Sequence, residues 1–298
     1  MKAAQVQIVS SSPAVAAVEW LAAQIGVTSS GFDSTHTTVA ELARWKSALP
    51  TKLRRTFLTE LAGPLVEPLR QVKDEDELAL MSKAALTGCE LFEHMLGFIR
   101  PGLRETEVAA ELEYQARLKG AEGMSFETIV ASGGRSALPH GRATEARLPR
   151  RGFLTLDFGI ILGGYCSDMT RTVYLGKPRM NERDAYQAVL EAQEAGVAAV
   201  GPNVSCGAVD EAARGVLRKA GLAEAFSHST GHGVGLEIHE SPRIGAGQTT
   251  RLLPGMVVTI EPGVYLADQF GIRIEDMVAV TQTGGQVLTP APKALIEL

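Results

Sequence analysis

Four carboxylates interrupt runs of apolar, β-patterned sequence, and they constrain the fold more than any other feature. The run 153–162 carries Asp157, 165–174 carries Asp168, 256–265 carries Glu261, and 271–280 carries Glu275. Each run is rich in the β-branched and aromatic residues that favour strands. A carboxylate inside such a strand is costly to bury unless it is paired or metal-bound. The fold therefore has to gather these acids. Gly163-Gly164 makes a tight turn between the first two runs, and a hairpin there brings Asp157 and Asp168 close. Asp276 follows Glu275, so strand alternation turns it to the opposite face.

Residues 226–240, Phe-Ser-His-Ser-Thr-Gly-His-Gly-Val-Gly-Leu-Glu-Ile-His-Glu, hold three of the six histidines: His228, His232 and His239. The interleaved glycines allow close approach of another group. Imidazole binds borderline metals or moves protons near neutral pH. Alone, the stretch proves neither role, and the plain alternative is a Gly-rich turn with core or surface histidines. Beside the acids it gains weight, because four carboxylates and one imidazole suit two divalent cations. Such a pair lowers the pKa of bound water and polarises a carbonyl. Oxygen-rich ligation favours Mn²⁺, Co²⁺ or Fe²⁺ over a cysteine-zinc site. A hydrogen-bonded polar core without metal is the competing expectation. The residues themselves lead as far as a two-metal hydrolase or a related enzyme.

Helical periodicity is expected over 14–25 (after Pro13), 37–49, 74–98, 105–119, 182–200 and 208–220, with a short strand at 6–9. Pro101-Gly102 and Gly201-Pro202 each split a helix pair that precedes β-rich sequence, which suggests a duplicated helix–helix–sheet unit. Trp20 and Trp45 are expected to pack, as are Met81, Cys89, Met95 and Cys166, while His94 is a surface or packing residue. Residues 70–77, Arg-Gln-Val-Lys-Asp-Glu-Asp-Glu, form a charged joint. The chain has 298 residues and a net charge of -5, enough for a large and a small domain and unlike a general nucleic-acid surface. Three widely spaced cysteines suggest a reducing compartment. No apolar run reaches membrane-spanning length and the opening residues do not read as a secretory leader, so a cytoplasmic protein is expected.

In order and spacing, residues 73–298 resemble the prolidase and Xaa-Pro aminopeptidase branch of the pita-bread metallopeptidases. The resemblance rests on Leu-Pro-His-Gly at 138–141, Leu-Asp-Phe-Gly at 156–159 and Ser-Asp-Met-Thr-Arg-Thr at 167–172. It continues through 229–240, Thr-Ile-Glu-Pro-Gly-Val-Tyr at 259–265 and Gly-Ile-Arg-Ile-Glu-Asp at 271–276. It implies an α+β fold: a pita-bread catalytic domain with a curved antiparallel sheet over residues 70–298, preceded by a partial α/β N-terminal domain over 1–69. It implies two divalent ions, manganese first, with cobalt, zinc or iron(II) as alternatives. The ligands it implies are Asp157, Asp168, His232, Glu261 and Glu275, with Asp168 and Glu275 bridging. By the same resemblance His140 and His239 assist the reaction, Glu261 can also shuttle a proton, His228 supports the peptide backbone, Arg243 meets a dipeptide's carboxylate, and Arg273 holds the metal-site acids.

The implied substrates are proline-containing dipeptides or short peptides, and the implied assembly is a homodimer. An Xaa-Pro dipeptidase is slightly favoured over an Xaa-Pro aminopeptidase. Thr170-Arg171-Thr172 and Ile238-His239-Glu240 argue against a methionine aminopeptidase, and the complete ligand set argues against creatinase-like chemistry. The shortened N-terminal part leaves a catalytically impaired binding protein of the same fold as the remaining alternative.

Overall fold

A computed structural model of the chain describes residues 6 and 8–298. Two compact units divide at Val66 and Glu67. The smaller contains α1 (Pro13–Ala23), β1 (Ser30–Phe32), α2 (Val39–Ala48) and β2 (Leu58–Glu60), with β1 and β2 parallel. Pro13 opens α1, and Thr38 with Glu41 forms a reciprocal capping box on α2. Val18, Leu49, Phe57 and Leu58 make its small core, with Trp45 packed against them. Trp20 departs from expectation: it points outward and is 58% exposed, because α1 turns Val18 to the core instead. The strand expected at 6–9 falls partly on residue 7, outside the described residues, and Val6, Ile8 and Val9 lie outside regular structure.

The larger unit opens with α3 (Glu67–Gln71), α4 (Glu75–Phe98) and α5 (Glu105–Leu118). Asp74 and Glu77 cap α4 reciprocally. Then come β3 (Gly123–Met124), β4 (Ile129–Ser132), a 3₁₀ turn over Gly133–Ala137, β5 (Gly152–Phe158), β6 (Ile160–Leu162), β7 (Tyr165–Cys166) and β8 (Met169–Leu175). The order repeats with α6 (Met180–Ala199) and α7 (Cys206–Lys219), followed by β9 (Gly231–Gly233), β10 (Glu240–Ile244), β11 (Val257–Ile260), β12 (Gly263–Leu266), β13 (Phe270–Arg273), β14 (Asp276–Val280) and β15 (Gly285–Val287). Every strand pairing described in this unit is antiparallel.

The alternation of side chains fixes which face carries chemistry. On β5, Leu154, Leu156 and Phe158 enter the core made with Leu91, Phe92 and Leu112 of α4 and α5. Asp157 is therefore on the other face, with Thr155. On β11 and β14, Val258, Ile260, Val278 and Val280 pack with Val200 and Val209 from the second helix pair. Glu261 and Glu275 continue the opposite alternation. Asp276 is turned away from Glu275 as expected, into a buried cluster where Arg171, Lys293, Gln193 and Thr289 donate to it. Met81 and Met95 are core residues, Cys166 packs with Met81 and Val234, and Cys89 is half-buried against the first helix-pair core. His94 meets Glu111 at 2.8 Å on the surface side of α4.

All four long runs break where sequence patterning predicts continuous strands. The first hairpin keeps one register from Leu162–Tyr165 to Asp157–Thr170, yet its ladder is interrupted at Gly159 and Asp168. A Cβ on Gly159 would lie 1.7 Å from the carbonyl oxygen of Ser167. The Ser167 hydroxyl instead accepts from the Ile160 amide at 3.0 Å. The third run breaks at Glu261-Pro262, where proline removes a donor, and the fourth breaks at Ile274-Glu275.

Candidate metal centre and active site

The broken strands deliver their acids to one place. Asp168 lies two positions along the hairpin from the partner of Asp157, so both side chains share a face. The end of β11 faces the start of β14 through the pair Ile260–Asp276, which sets Glu261 beside Glu275. The two halves are joined by the backbone bond from Glu275 to the Thr170 carbonyl, 3.1 Å, and by Thr170 Oγ1 donating to Glu275 Oε2, 2.7 Å. Ligand atoms of Asp168, His232 and Glu275 all fall within 4.8 Å of one another. His232 Nε2 is 3.6 Å from Asp168 Oδ2 and 3.5 Å from Glu261 Oε1.

His232 is fixed with one ring nitrogen facing the acids. Its Nδ1 donates to the Gly233 carbonyl at 3.0 Å, which leaves Nε2 as the lone-pair nitrogen facing the acids. Its amide donates to Thr259 Oγ1. Burial lowers its pKa to about 4, so the ring is neutral at physiological pH. Burial raises the carboxyls of Asp168 and Glu261 well above the usual range, reinforced in both by the charge of Glu275. Glu275 rises to about 8 through burial and then the charge of Asp157. Asp157 Oδ2 accepts from Arg273, while its buried Oδ1 has no hydrogen-bond partner.

Divalent cations fit this donor set. The acids repel one another when ionised, a neutral imidazole nitrogen points among them, and one buried carboxylate oxygen has no hydrogen bond. Cations would offset the repulsion and allow all the acids to ionise at neutral pH.

Arg273 ties the surroundings together. It donates to Asp157, to Thr170 Oγ1 at 3.1 Å, to Tyr265 Oη at 2.7 Å and to the Pro139 carbonyl at 3.0 Å. The last bond holds the residue before His140. Tyr265 Oη in turn lies 3.0 Å from His228 Nε2, while His228 Nδ1 donates to the Ser229 carbonyl. Burial lowers the His228 pKa to about 4. Asp210 and Arg214 of α7 secure the same segment: Asp210 accepts from Thr230, and Arg214 donates to the carbonyls of Phe226 and His228. The His239 ring meets the His232 ring edge-on at 4.3 Å.

A cavity of about 730 Å³ opens over these groups. Its walls include all ten candidate site residues named from the sequence: His140, Asp157, Asp168, His228, His232, His239, Arg243, Glu261, Arg273 and Glu275 line it together. Phe126, Ile129 and Ile238 give it an apolar wall, and Glu127 and Arg142 form an exposed ion pair of 2.8 Å among its lining residues. Several contributors were not legible as site residues. Tyr265 lay inside a quoted motif without a role. Thr170 looked like an ordinary strand residue, and Lys73 looked like part of a solvated joint, although it is only 5% exposed.

Residues 79–282 match metallopeptidase family M24. The chain belongs to this family. It is 42% identical over 232 residues to an Xaa-Pro dipeptidase of Pyrococcus furiosus, an alignment covering 78% of this chain and 67% of that protein. Among solved structures, an Xaa-Pro dipeptidase from Bacillus anthracis superposes with a TM-score of 0.90 and 42% identity, covering 94% of this chain and 78% of that one. An X-Pro aminopeptidase from Thermotoga maritima superposes with a TM-score of 0.87 and 34% identity, covering 97% and 81%. The fold is thus the pita-bread fold of the M24 metallopeptidases. The matched region spans about two thirds of the length of the curated relatives. Among the described residues no helix is long and apolar enough to cross a membrane.

Proposed function

We propose that this M24 protein hydrolyses the peptide bond between an N-terminal residue and proline, with dipeptides as the preferred substrates. The observation that carries the reading is the single cavity in which the acid–imidazole cluster meets His140, His228, His239 and Arg243. In this reading Asp157, Asp168, His232, Glu261 and Glu275 would hold two divalent ions, Asp168 and Glu275 serving both. The oxygen-rich donor set favours manganese. When bound, such ions compensate charge, polarise a carbonyl and acidify water.

The chain's own residues do the rest. Arg273 orients Asp157 through a hydrogen bond to its carboxylate. His140 and His239 donate to the oxyanion of the tetrahedral intermediate and pass a proton to the departing proline nitrogen. Hydrolysis adds hydroxyl to the carbonyl carbon and hydrogen to that nitrogen as the C–N bond breaks. Glu261 relays the proton. His228, neutral and fixed between Ser229 and Tyr265, contacts the substrate backbone. Proline in the scissile bond has no N–H and a fixed φ, so the apolar wall of Phe126, Ile129 and Ile238 suits its ring better than a site demanding an amide donor. Arg243, exposed on β10, pairs with the dipeptide's terminal carboxylate, a geometry that a guanidinium can make bidentate.

The size of the cavity supports a second reading, an Xaa-Pro aminopeptidase. At about 730 Å³ it falls within the range of drug-sized ligand sites, with room for a longer peptide. The deciding assay compares kcat/KM for Ala-Pro, Ala-Pro-Ala and Ala-Ala on Mn²⁺-loaded wild-type and Arg243→Ala protein. The dipeptidase reading requires Ala-Pro to be preferred and to suffer selectively in the variant. Faster turnover of Ala-Pro-Ala would favour the aminopeptidase, and cleavage of Ala-Ala alone would remove proline specificity.

A further inference from the structure

The loop that carries His239 is tied down from outside the cavity. It runs on from β9 through Gly235, whose carbonyl accepts from the Cys166 amide at 2.8 Å, and enters β10 at Glu240. The Glu240 side chain is 6% exposed and folds back under the loop, accepting from the Glu237 amide at 3.2 Å. Only glycine leaves it room at 235, where a Cβ would lie 2.5 Å from the Glu240 carboxylate. Two cations from the entry to the larger unit close on that carboxylate: Arg70 meets Oε1, and Lys73, its side chain 2% exposed, meets Oε2 at 3.2 Å. Arg70 also reaches Glu237 at 3.2 Å. The Lys73 amide donates to the Gly255 carbonyl at 2.9 Å, so this segment is itself fixed against the chain entering β11. Glu240 pairs with Gly233 across the strands, and the preceding His239 stands against His232.

We infer that Lys73 and Arg70 are positioning residues for His239, acting through Glu240. The inference rests on the proposed role of His239 in the hydrolysis. A buried carboxylate deprived of a cation has to seek water or take up a proton, and either change loosens its hold on the Glu237 amide and so on the 235–240 loop. Displacing a reacting group by about 1 Å costs on the order of 100-fold in rate. The charged joint therefore belongs to the catalytic apparatus as well as to the connection between units.

The test compares Lys73→Met, the near-isosteric Glu240→Gln and the double variant, all loaded with Mn²⁺ and assayed on Ala-Pro and Ala-Pro-Ala. Each single change is expected to lower kcat by about 10- to 100-fold while KM and bound metal stay within about twofold of wild type. The double variant should lose no more than the worse single variant, because both act through one pair. In metal-free protein, amide exchange over 235–240 should quicken while that of 153–158 does not. If Lys73→Met fails to fold, Glu240→Gln alone carries the kcat and exchange measurements. Unchanged kcat and exchange, metal loss that tracks the activity loss, or losses that multiply in the double variant would overturn the inference. Wild-type protein that cuts neither proline substrate would instead sink the proposed reaction, leaving the exchange measurement to judge the anchor by itself.

Discussion

Thr170 Oγ1 donates to Glu275 Oε2 at 2.7 Å, across 105 residues of sequence. The same hydroxyl accepts from Arg273 Nε at 3.1 Å. A strand of the first half thus orients an acid and a guanidinium of the second.

Asp168 is the acid most surrounded by others, with Glu275, Asp157 and Glu261 all raising its pKa after burial. Asp168→Asn is expected to keep the shape and remove a charge shared by both proposed ions. Calorimetric titration with Mn²⁺ should show loss of both high-affinity sites, and kcat/KM should fall by more than about 100-fold. Retention of two tight ions with full activity would contradict the ligand assignment.

Arg273→Met removes the donor to Asp157, Thr170, Tyr265 and Pro139 together. Breaking a buried charge pair on one side costs about 3–5 kcal/mol, so urea unfolding of the metal-free variant should shift by about that amount. Metal affinity should fall by roughly 10- to 100-fold. A variant of wild-type stability would show that the network is dispensable.

His140→Ala should separate catalysis from metal binding. The Pro139 carbonyl, held by Arg273, fixes the backbone before it, and the imidazole has no part in the proposed ligand set. Loss of one oxyanion donor corresponds to about 3 kcal/mol, or roughly 100-fold in kcat, with both ions retained. Metal loss in proportion to activity would move His140 among the ligands.

Stability of the metal-free protein should depend on pH in a defined direction. Burial raises the Glu275 carboxyl to about 8 from the ordinary carboxylate value of 4.5, so between these values the folded form binds more protons and stability falls as pH rises. His228 and His232, lowered from 6.5 to about 4, oppose this only below their unfolded value, where stability is lost as pH falls. From about pH 6.5 to about 8 the acids alone set the slope, on the order of 1 kcal/mol per pH unit. Urea melts in EDTA across that window should show the decline, and saturating Mn²⁺ should remove it. A flat EDTA profile would mean that the acids are already compensated.

The helices and the four β runs were legible because their periodicities are long and clean. α4, α5, α6 and α7 fall within a few residues of the expected spans. The breaks in the strands were not legible, because Gly159 and Glu261-Pro262 matter through what lies opposite them in space. Acids in apolar runs announced that a cluster must exist, and the structure brings those acids and the four histidines into one cavity. Trp20 misled because helical position alone does not say which face a small unit can cover. Lys73 misled in the opposite sense: a residue of the charged joint is buried here against Glu240.

The duplicated order of the larger unit divides its acids unequally. Asp157 and Asp168 precede α6, while His232, Glu261 and Glu275 follow α7. Neither half owns the complete proposed ligand set. If the chain were severed between β8 and α6, in the turn that includes Lys177 and Pro178, the fragments would have complementary charge problems that only their reunion around cations resolves. The centre would then act as a metal-dependent clasp, and recovery of a joined, folded pair on adding Mn²⁺ would turn ion binding into a measure of fragment assembly.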